Sequence, residues 1–509
     1  KQVSLYFLFR ICSRLFTHFF TSMLMNWLLL LEIVYLIILV LVCLRIIYDT
    51  RSTTKTLAYL LFAIFVPFAG MLFYFSFGIN YRKRKMYSKK LIADDSMSAK
   101  LKEDTYRYSK NTFDQSGADV QSSRELAVML VKDSQSPLTD GNEVKLLVNG
   151  EQKFSEVLSA IRLAKHHIHI EYYIYEDDEI GSAIADALIQ KAKEGVRVRF
   201  IYDDFGSRSI RKKIVARLRE GGVNAFPFYK IIFIAFANRL NYRNHRKIIV
   251  IDGCTAFVGG INVSDRYINN TADTGKLFWR DTHLRIDGPG ALYLQYLFLC
   301  DWNFCANEQL QPDSVFFPPL SSFPVKGNKV VQIAASGPDS DTPTILFSLL
   351  QAINLANEEV LITTPYFIPG ESLIDALMVS ALGGIRVKLL VPGVSDSVLV
   401  NAAARSYYGD LLKAGVEIYL YKKGFVHAKT MVTDRKIAIV GTANMDYRSF
   451  DLNFEVNAIV YDRGVADELA AVFYADIAAA EKINAAAWEN RSVWKQLFEK
   501  TARLVSPLL

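Results

Sequence analysis

The sequence has few cysteines and few charged residues. Its five cysteines form no CxxC pair, and none lies near a histidine at metal-ligand spacing; they are Cys12, Cys43, Cys254, Cys300 and Cys305. We therefore expect a reducing compartment, with neither structural zinc nor a disulfide framework. Charged residues make up only 22% of the 509 residues, while 51% are hydrophobic. This composition excludes intrinsic disorder and collagen-like repeats, and it requires either an unusually apolar interior or a membrane segment.

Two long apolar runs near the N-terminus hold much of this hydrophobic excess. The first covers residues 27–44 with Glu32 as its single charge, and the second covers 57–78, interrupted only by Pro67 and Gly70. Each run is long enough to cross a bilayer as a helix, since about 20 residues suffice. The sequence predicts a hairpin of two transmembrane helices over residues 26–80. Burial inside a soluble core is the alternative, but core helices seldom stay apolar on every face.

Basic residues surround the predicted hairpin. Six of them lie between Arg82 and Lys90, against three in the connector between the apolar runs. By the positive-inside rule, this difference places the large C-terminal part in the cytoplasm. Residues 1–25 combine aromatic residues with a polar and basic stripe, which predicts an amphipathic segment lying on an anionic membrane. Residues 81–139 are basic and polar and are expected to be a linker with some helix.

The rest of the chain contains two copies of one α/β unit. The segment HHIHIEYYIYEDDEI matches EEVLITTPYFIPGES, EGVRVRFIYDD matches GGIRVKLLVPG, and NHRKIIVIDGCTAFVGGIN matches VHAKTMVTDRKIAIVGTAN. Each copy predicts strand, helix and strand. We expect domains at 140–320 and 328–485, a Pro- and Phe-rich join near 315–324, and a C-terminal segment at 486–509.

Both copies carry the pattern HxK(x)4D(x)6Gx2N. The two sets are His245, Lys247, Asp252, Gly259 and Asn262, and His427, Lys429, Asp434, Gly441 and Asn444. Residues two apart on a strand point to the same face, so each His is expected to lie beside its Lys. A single pattern of this kind could arise by chance, and a lone histidine on a strand is more often packed in the core than catalytic. Two copies with equal spacing inside matching repeats favour one shared site.

Such a set of side chains suits phosphodiester transfer. One neutral imidazole can attack phosphorus to form a phosphohistidine, while the other protonates the leaving oxygen and later deprotonates the acceptor. Two ammonium groups and two amides can neutralise the charge on the phosphate oxygens. This chemistry requires no metal, and we expect no cofactor.

With these motifs the chain resembles the phospholipase D superfamily, whose paired HKD motifs form one active site. Within it, IEYYIYEDDEIG, FWRDTHLRIDGPG, TTPYFIP and GTANMDYRSFDLNFE are similar to bacterial cardiolipin synthases. The resemblance covers most of 140–485 and implies an α/β fold with a duplicated phospholipase D-like domain. In that fold two β-sheets flanked by helices are related by a pseudo-two-fold axis. The resemblance also implies a multi-pass protein of the bacterial cytoplasmic (inner) membrane, with its catalytic domains facing the cytoplasm.

The resemblance further implies roles for single residues. His245 would be the nucleophile and His427 the acid and base, and the two motif lysines would bind the phosphate. The motif asparagines are expected to contact the substrate. The motif aspartates are grouped with the catalytic residues, although we expect them to shape the motif and not to react. In relatives a buried acid holds each catalytic histidine. The candidates here are Asp281 and Glu455, with Asp265, Asp446 and Asp451 as alternatives.

Three features favour a lipid substrate. They are the hairpin, an apolar stretch at 226–240 before the first motif, and basic residues placed where they would attract anionic lipid. These basic residues do not alternate with stacking aromatics, so no nucleic-acid partner is expected. We expect phosphatidylglycerol as the anionic phospholipid substrate and cardiolipin and glycerol as products. The alternatives are a membrane-tethered phospholipase D that hydrolyses lipids, an endonuclease of the superfamily and an inactive scaffold. The oligomeric state is left open.

Overall fold

A computed structural model describes residues 27–50, 53–66, 68–75, 95–228, 242–269, 276–306, 308–319, 323, 327–504 and 506. Three of the expected features lie outside these residues: the interfacial segment 1–25, the basic cluster 82–90 and most of the apolar stretch 226–240. The chain divides into two units. One contains the described residues before 76, and the other contains both repeats.

The N-terminal unit contains a helix that is long and apolar enough to cross a membrane. This helix, α1 (Trp27–Asp49), has a mean hydropathy of 3.0, and α2 (Thr53–Phe65) and α3 (Ala69–Phe73) follow it. Phe68 has a φ of 61°, and the chain turns there so that Gly70 packs against the backbone of Phe62. The second apolar run is therefore divided between two short helices among the described residues. The two-span hairpin stays a prediction.

The larger unit alternates helices with strands. Its helices are α4 (Asp95–Gln115), α5 (Ala118–Gln121), α6 (Arg124–Ser134), α7 (Asn149–Leu163), α8 (Glu179–Lys193), α9 (Ile214–Glu220), α10 (Ala291–Cys305), α11 (Thr344–Asn354), α12 (Glu371–Leu382), α13 (Val398–Lys413), α14 (Tyr447–Asp451), α15 (Arg463–Ala478), α16 (Ala485–Glu489) and α17 (Val493–Leu504). Two short 3₁₀ turns cover Arg208–Ile210 and Asp265–Tyr267.

Among the described residues, nine of its strands lie in the first repeat and eleven in the second. In the first repeat they are β1 (Thr139–Val148), β2 (His167–Tyr172), β3 (Arg197–Tyr202), β4 (Asn224–Pro227), β5 (Arg243–Asn244), β6 (Lys247–Ile251), β7 (Thr255–Gly259), β8 (Phe278–Arg280) and β9 (Thr282–Asp287). In the second repeat they are β10 (Lys329–Ser336), β11 (Glu359–Thr363), β12 (Phe367–Ile368), β13 (Arg386–Pro392), β14 (Glu417–Tyr421), β15 (Gly424–Val426), β16 (Thr430–Thr433), β17 (Ile437–Gly441), β18 (Met445–Asp446), β19 (Asn453–Tyr461) and β20 (Ala480–Lys482).

Strand order shows the duplication directly. Outward from β1, the first half runs β9, β7, β6, β2, β3 and β4; outward from β10, the second runs β19, β17, β16, β11, β13 and β14. The two series correspond strand for strand, and in both the last three strands are parallel. Pairing of β1 with β10 joins the two expected sheets into one sixteen-stranded sheet within the described residues. The duplicated α/β fold is confirmed.

Part of the expected linker belongs to the core of the second repeat. Val120, Leu126 and Leu130 are buried and pack with apolar residues of α11 and of the adjoining strands. Helices α5 and α6 therefore cover the second half of the sheet. Apolar side chains inside this polar stretch supply a helical layer for the sheet, and the expected domain boundaries stay a prediction.

Gly441 lies where β17 and β19 approach each other closely. A Cβ at this position would lie 2.6 Å from the Cα of Asn457. We expect Gly441→Ala to lower the free energy of unfolding by about 1–3 kcal/mol, because a packed sheet cannot move its backbone aside. Thermal unfolding measures the change.

Gly409→Ala in α13 is the matched control. A Cβ there meets nothing within 4 Å, and alanine favours a helix, so the melting temperature is expected to stay equal or to rise. A Gly441→Ala protein as stable as the wild type would contradict this account of the packing.

Candidate active site

Each HKD motif begins where a short strand pairs with the opposite repeat. In the first motif β5 runs parallel to β19, and in the second β15 runs parallel to β8. The backbone N–H of His245 then donates to the carbonyl of Phe454 at 3.0 Å, and that of His427 donates to Arg280 at 2.7 Å. In each case a strand of one repeat pairs with a strand of the other, and these exchanged pairings hold both imidazoles at the junction between the repeats.

A buried carboxylate from the opposite repeat contacts each imidazole. Nδ1 of His245 lies 2.9 Å from Oε2 of Glu455, and Nδ1 of His427 lies 2.7 Å from Oδ2 of Asp281. Both acids are fully buried. The structure therefore places the two candidate acids beside the imidazoles, and each acid serves the motif of the other repeat.

The alternative acids have other partners. Asp265 accepts the backbone N–H groups of Glu179 and Ile180 at the start of α8, at 3.0 and 2.9 Å. Asp446 accepts the backbone N–H of Ser449 at 2.7 Å and caps α14. These two carboxylates bind the ends of helices, where exposed N–H groups favour negative charge.

Both imidazoles have the tautomer that a nucleophile or base needs. Burial lowers the pKa of His245 to about 4, against the opposing effect of Glu455. Burial also lowers the pKa of His427 to about 3, and Lys429 adds to this shift. A neutral ring that contacts a carboxylate through Nδ1 donates its proton there, so Nε2 keeps a lone pair.

The motif lysines complete a site suited to an anion. Nζ of Lys247 donates to the carbonyl of His245 at 2.7 Å, and Nζ of Lys429 lies 3.1 Å from Nε2 of His427. Burial lowers the pKa of Lys247 to about 7 and that of Lys429 to about 8, although nearby carboxylates oppose both shifts. A phosphate bound between them would favour the charged form of both lysines.

The motif asparagines are buried near the imidazoles and already contact protein groups. Asn262 donates to the hydroxyl of Tyr267 at 2.9 Å, and that hydroxyl lies 3.4 Å from Nδ1 of His427. Asn444 donates to Asp446 at 3.1 Å, while its Oδ1 has no hydrogen-bond partner in the described part of the chain. Their contact with substrate stays a prediction.

The motif aspartates lie away from the imidazoles. Asp252 follows β6, so Arg246 and the five residues of β6 separate it from His245, and its carboxylate accepts the backbone N–H groups of residues 165–167 at 2.8–3.0 Å. Asp434 accepts those of 357–359 over the same distances. Their φ angles of 52° and 50° form the turns that follow the motif strands. These contacts fit the expectation that the two aspartates shape the motif, and their grouping with the catalytic set stays a prediction.

Asp252→Ala tests whether Asp252 holds the turn or takes part in catalysis. Loss of an acceptor for three backbone N–H groups is expected to cost about 1–3 kcal/mol of stability. The rate per folded molecule is expected to stay near the wild-type value. Thermal unfolding and turnover corrected for folded protein measure the two effects. Asp252→Asn is the milder control, since asparagine tolerates positive φ; a large loss of turnover at unchanged melting temperature would show a catalytic role.

Sequence reasoning missed the aromatic residues around the imidazoles. The ring of Tyr173 lies 4.7 Å from that of His245, between centroids. Trp279 and Phe425 lie 5.5 and 6.0 Å from the ring of His427. Phe425 precedes its histidine by two residues, so the strand period was a signal that could have placed it on the same face.

Among the described residues, no group of three His, Cys, Asp or Glu side chains could hold a metal ion. The expectation of no cofactor stays an expectation.

Comparisons with known proteins agree with this geometry. Residues 157–281 and 349–477 match the family described as "Cardiolipin synthase, PLD-like domain", and residues 34–78 match "Phospholipase D-nuclease N-terminal". The chain is 40% identical over 479 residues to a cardiolipin synthase of Alkalihalophilus pseudofirmus, with 94% of each chain covered. It is also 40% identical over 489 residues to the major cardiolipin synthase of Bacillus subtilis, covering 94% of this chain and 99% of that one.

A solved structure shares the fold. The phosphatidylserine synthase of Haemophilus influenzae superposes with a TM-score of 0.56 at 13% identity, covering 76% of this chain and 100% of that one. At this identity the likeness concerns the fold alone.

Proposed function

The chain belongs to the cardiolipin synthase family of phospholipase D-like proteins, and from this premise we propose that it joins two phosphatidylglycerol molecules into cardiolipin and glycerol. Membership of this family makes the chain a phosphatidyltransferase of a bacterial membrane. The observation that carries the proposal is the pair of imidazoles, each held at Nδ1 by a buried carboxylate of the opposite repeat. This pair supports a two-step transfer at one phosphorus atom.

In the first step the Nε2 lone pair of His245 attacks the phosphorus of phosphatidylglycerol. The bond from phosphorus to the glycerol headgroup oxygen breaks, and protonated His427 gives its Nε2 proton to that oxygen. The substrate phosphate supplies the negative charge that raises the pKa of His427 and makes this proton available. Glycerol leaves, and the phosphatidyl group stays on His245.

In the second step a hydroxyl of another phosphatidylglycerol attacks the same phosphorus. Its proton passes to Nε2 of His427, the phosphorus–nitrogen bond breaks, and cardiolipin forms. Lys247 and Lys429 stabilise the charge on the phosphate oxygens in both steps. Exclusion of water from the intermediate favours transfer over hydrolysis.

We also propose that the catalytic repeats face the cytoplasm on a multi-pass membrane anchor. The high hydropathy of α1 supports membrane insertion. The excess of basic residues at 82–90 supports this orientation. The proposal includes no nucleic-acid partner, because the basic residues cluster beside the anchor.

Product analysis tests the reaction. The purified protein in detergent with acyl-labelled phosphatidylglycerol is expected to form cardiolipin, and glycerol is expected in equal molar amount. Chromatography of the lipids and an enzymatic glycerol assay measure both products. Phosphatidic acid without cardiolipin would instead establish a hydrolase.

Trapping of the intermediate tests the roles of the two histidines. His245→Ala is expected to form no labelled phospho-enzyme. His427→Ala is expected to accumulate the labelled phospho-enzyme. Transfer of the phosphatidyl group from His245 then lacks its general base and slows by about 10²–10⁴-fold. Acid-quenched gels with labelled lipid measure the adduct. The opposite pattern would exchange the two roles.

A further inference from the structure

The two ends of the site differ chemically, although the duplication relates their backbones. Arg243 precedes His245 by two residues and Phe425 precedes His427 by two, so each shares a strand face with its imidazole. Across the exchanged strand pairs, Arg243 lies opposite Asn453, while Phe425 lies opposite Trp279. The His245 end is therefore cationic and polar, and the His427 end is aromatic.

Three arginines lie close to Phe205 or to Tyr173 on the side of the first imidazole. The guanidinium carbons of Arg208 and Arg243 lie 4.1 and 4.3 Å from the ring centre of Phe205. Arg448 lies within electrostatic reach of Arg243 and of Tyr173, the ring that packs against the imidazole. Arg208 and Phe205 are exposed, and the other two arginines are half-buried. We term Arg208, Arg243 and Arg448 the arginine cluster.

A carboxylate offsets only part of this charge. Asp203 lies within electrostatic reach of Arg243. Its oxygens already accept backbone N–H groups from Phe205, Gly206 and Asn244 at 2.9, 2.8 and 3.3 Å. The guanidinium groups of Arg208 and Arg243 bring two positive charges together beside this carboxylate, so the edge of the site at the His245 end attracts anions.

The opposite end carries acidic groups. The hydroxyl of Tyr366 donates to Asp396 at 2.5 Å, and Asp396 is exposed. Asp396 and the buried Asp446 both lie within electrostatic reach of Lys429. A second anion beside the reacting phosphate would be repelled at this end and attracted at the other.

The proposed reaction supplies such a second anion. An accepting phosphatidylglycerol carries its own phosphate, separated by three carbon atoms from the hydroxyl that attacks. That hydroxyl must reach the phosphorus between the two imidazoles, so the rest of its headgroup extends toward one end of the site. This geometry holds whichever imidazole attacks, and at that end the acceptor phosphate meets either the arginine cluster or Asp396.

Resting on the proposed function, we propose that the arginine cluster binds the phosphate of the acceptor phospholipid. Guanidinium groups bind phosphate oxygens through paired, charge-assisted hydrogen bonds. The buried Oδ1 of Asn453 lacks a hydrogen-bond partner among the described residues and lies opposite Arg243, where a free headgroup hydroxyl can donate to it. The cluster thereby selects an anionic lipid over water or a neutral alcohol as the acceptor.

Competition between two acceptors tests the proposal. The full-length protein receives phosphatidylglycerol in detergent micelles together with 1,3-propanediol as a neutral acceptor. The donor is the same in both reactions, so the ratio of cardiolipin to phosphatidylpropanediol reports acceptor choice alone. Arg208→Gln, Arg243→Gln and the double variant are expected to lower this ratio about tenfold or more. Arg243→Lys is expected to recover part of it, because the charge remains.

Arg197→Gln is the matched control. Arg197 is exposed and lies 5.8 Å from the ring centre of Phe316, at the opposite end of β3 from Asp203. The ratio of cardiolipin to phosphatidylpropanediol formed by Arg197→Gln is expected to equal that of the wild type. Thermal unfolding verifies that each variant is folded, and Arg208→Gln, at an exposed residue, carries the test if Arg243→Gln does not fold.

Other outcomes separate this inference from the proposed function. Unchanged ratios in the variants, with normal cardiolipin synthesis in the wild type, would overturn the arginine cluster alone. An equal fall of both products would also overturn it, because the arginines would then act on the donor. A wild-type protein that forms phosphatidylpropanediol but no cardiolipin, or neither product, would overturn the proposed function and this inference together.

Discussion

The site depends on two exchanged contacts between imidazole and carboxylate. Glu455 from the second repeat holds the first histidine, and Asp281 from the first repeat holds the second. Neither repeat alone contains a histidine with its own acid. The parallel pairings of β5 with β19 and of β8 with β15 enforce the exchange, because each carries a motif strand to the acid-bearing strand of its partner. The duplication is therefore a requirement of the chemistry as well as a feature of the fold.

Burial at this junction has opposing effects on the charged groups. It keeps both imidazoles neutral, so their Nε2 atoms can accept a proton or attack phosphorus. It also lowers the pKa of both lysines, so burial makes their positive charge costly. Burial alone would raise the pKa of Glu455, but His245 and Lys247 outweigh it and lower that pKa. In the proposed reaction a phosphodiester anion would relieve the repulsion between the lysines, which favours binding of an anionic group.

The duplicated backbone carries side chains that are not duplicated. At matching positions the first motif has Arg243 and the second has Phe425, and their strand partners are Asn453 and Trp279. A symmetric site would treat both faces of the phosphorus alike. Donor release and acceptor attack require different surroundings, and the two ends of the site differ in charge and in aromatic character.

The sequence by itself determined the repeats, the motif residues and the α/β class, because strand periodicity and equal spacing are local properties of the chain. It also contained both orienting acids, but it could not show which histidine each acid holds. Tertiary structure decided that exchange, because the partners lie 210 and 146 residues apart and meet only through strands paired between the repeats. It likewise separated Asp252 and Asp434 from the imidazoles, since a strand of buried residues lies between them. Only the tertiary structure showed that residues 118–134 pack onto the second repeat. A polar stretch with a few apolar side chains does not indicate by itself which surface those side chains will cover.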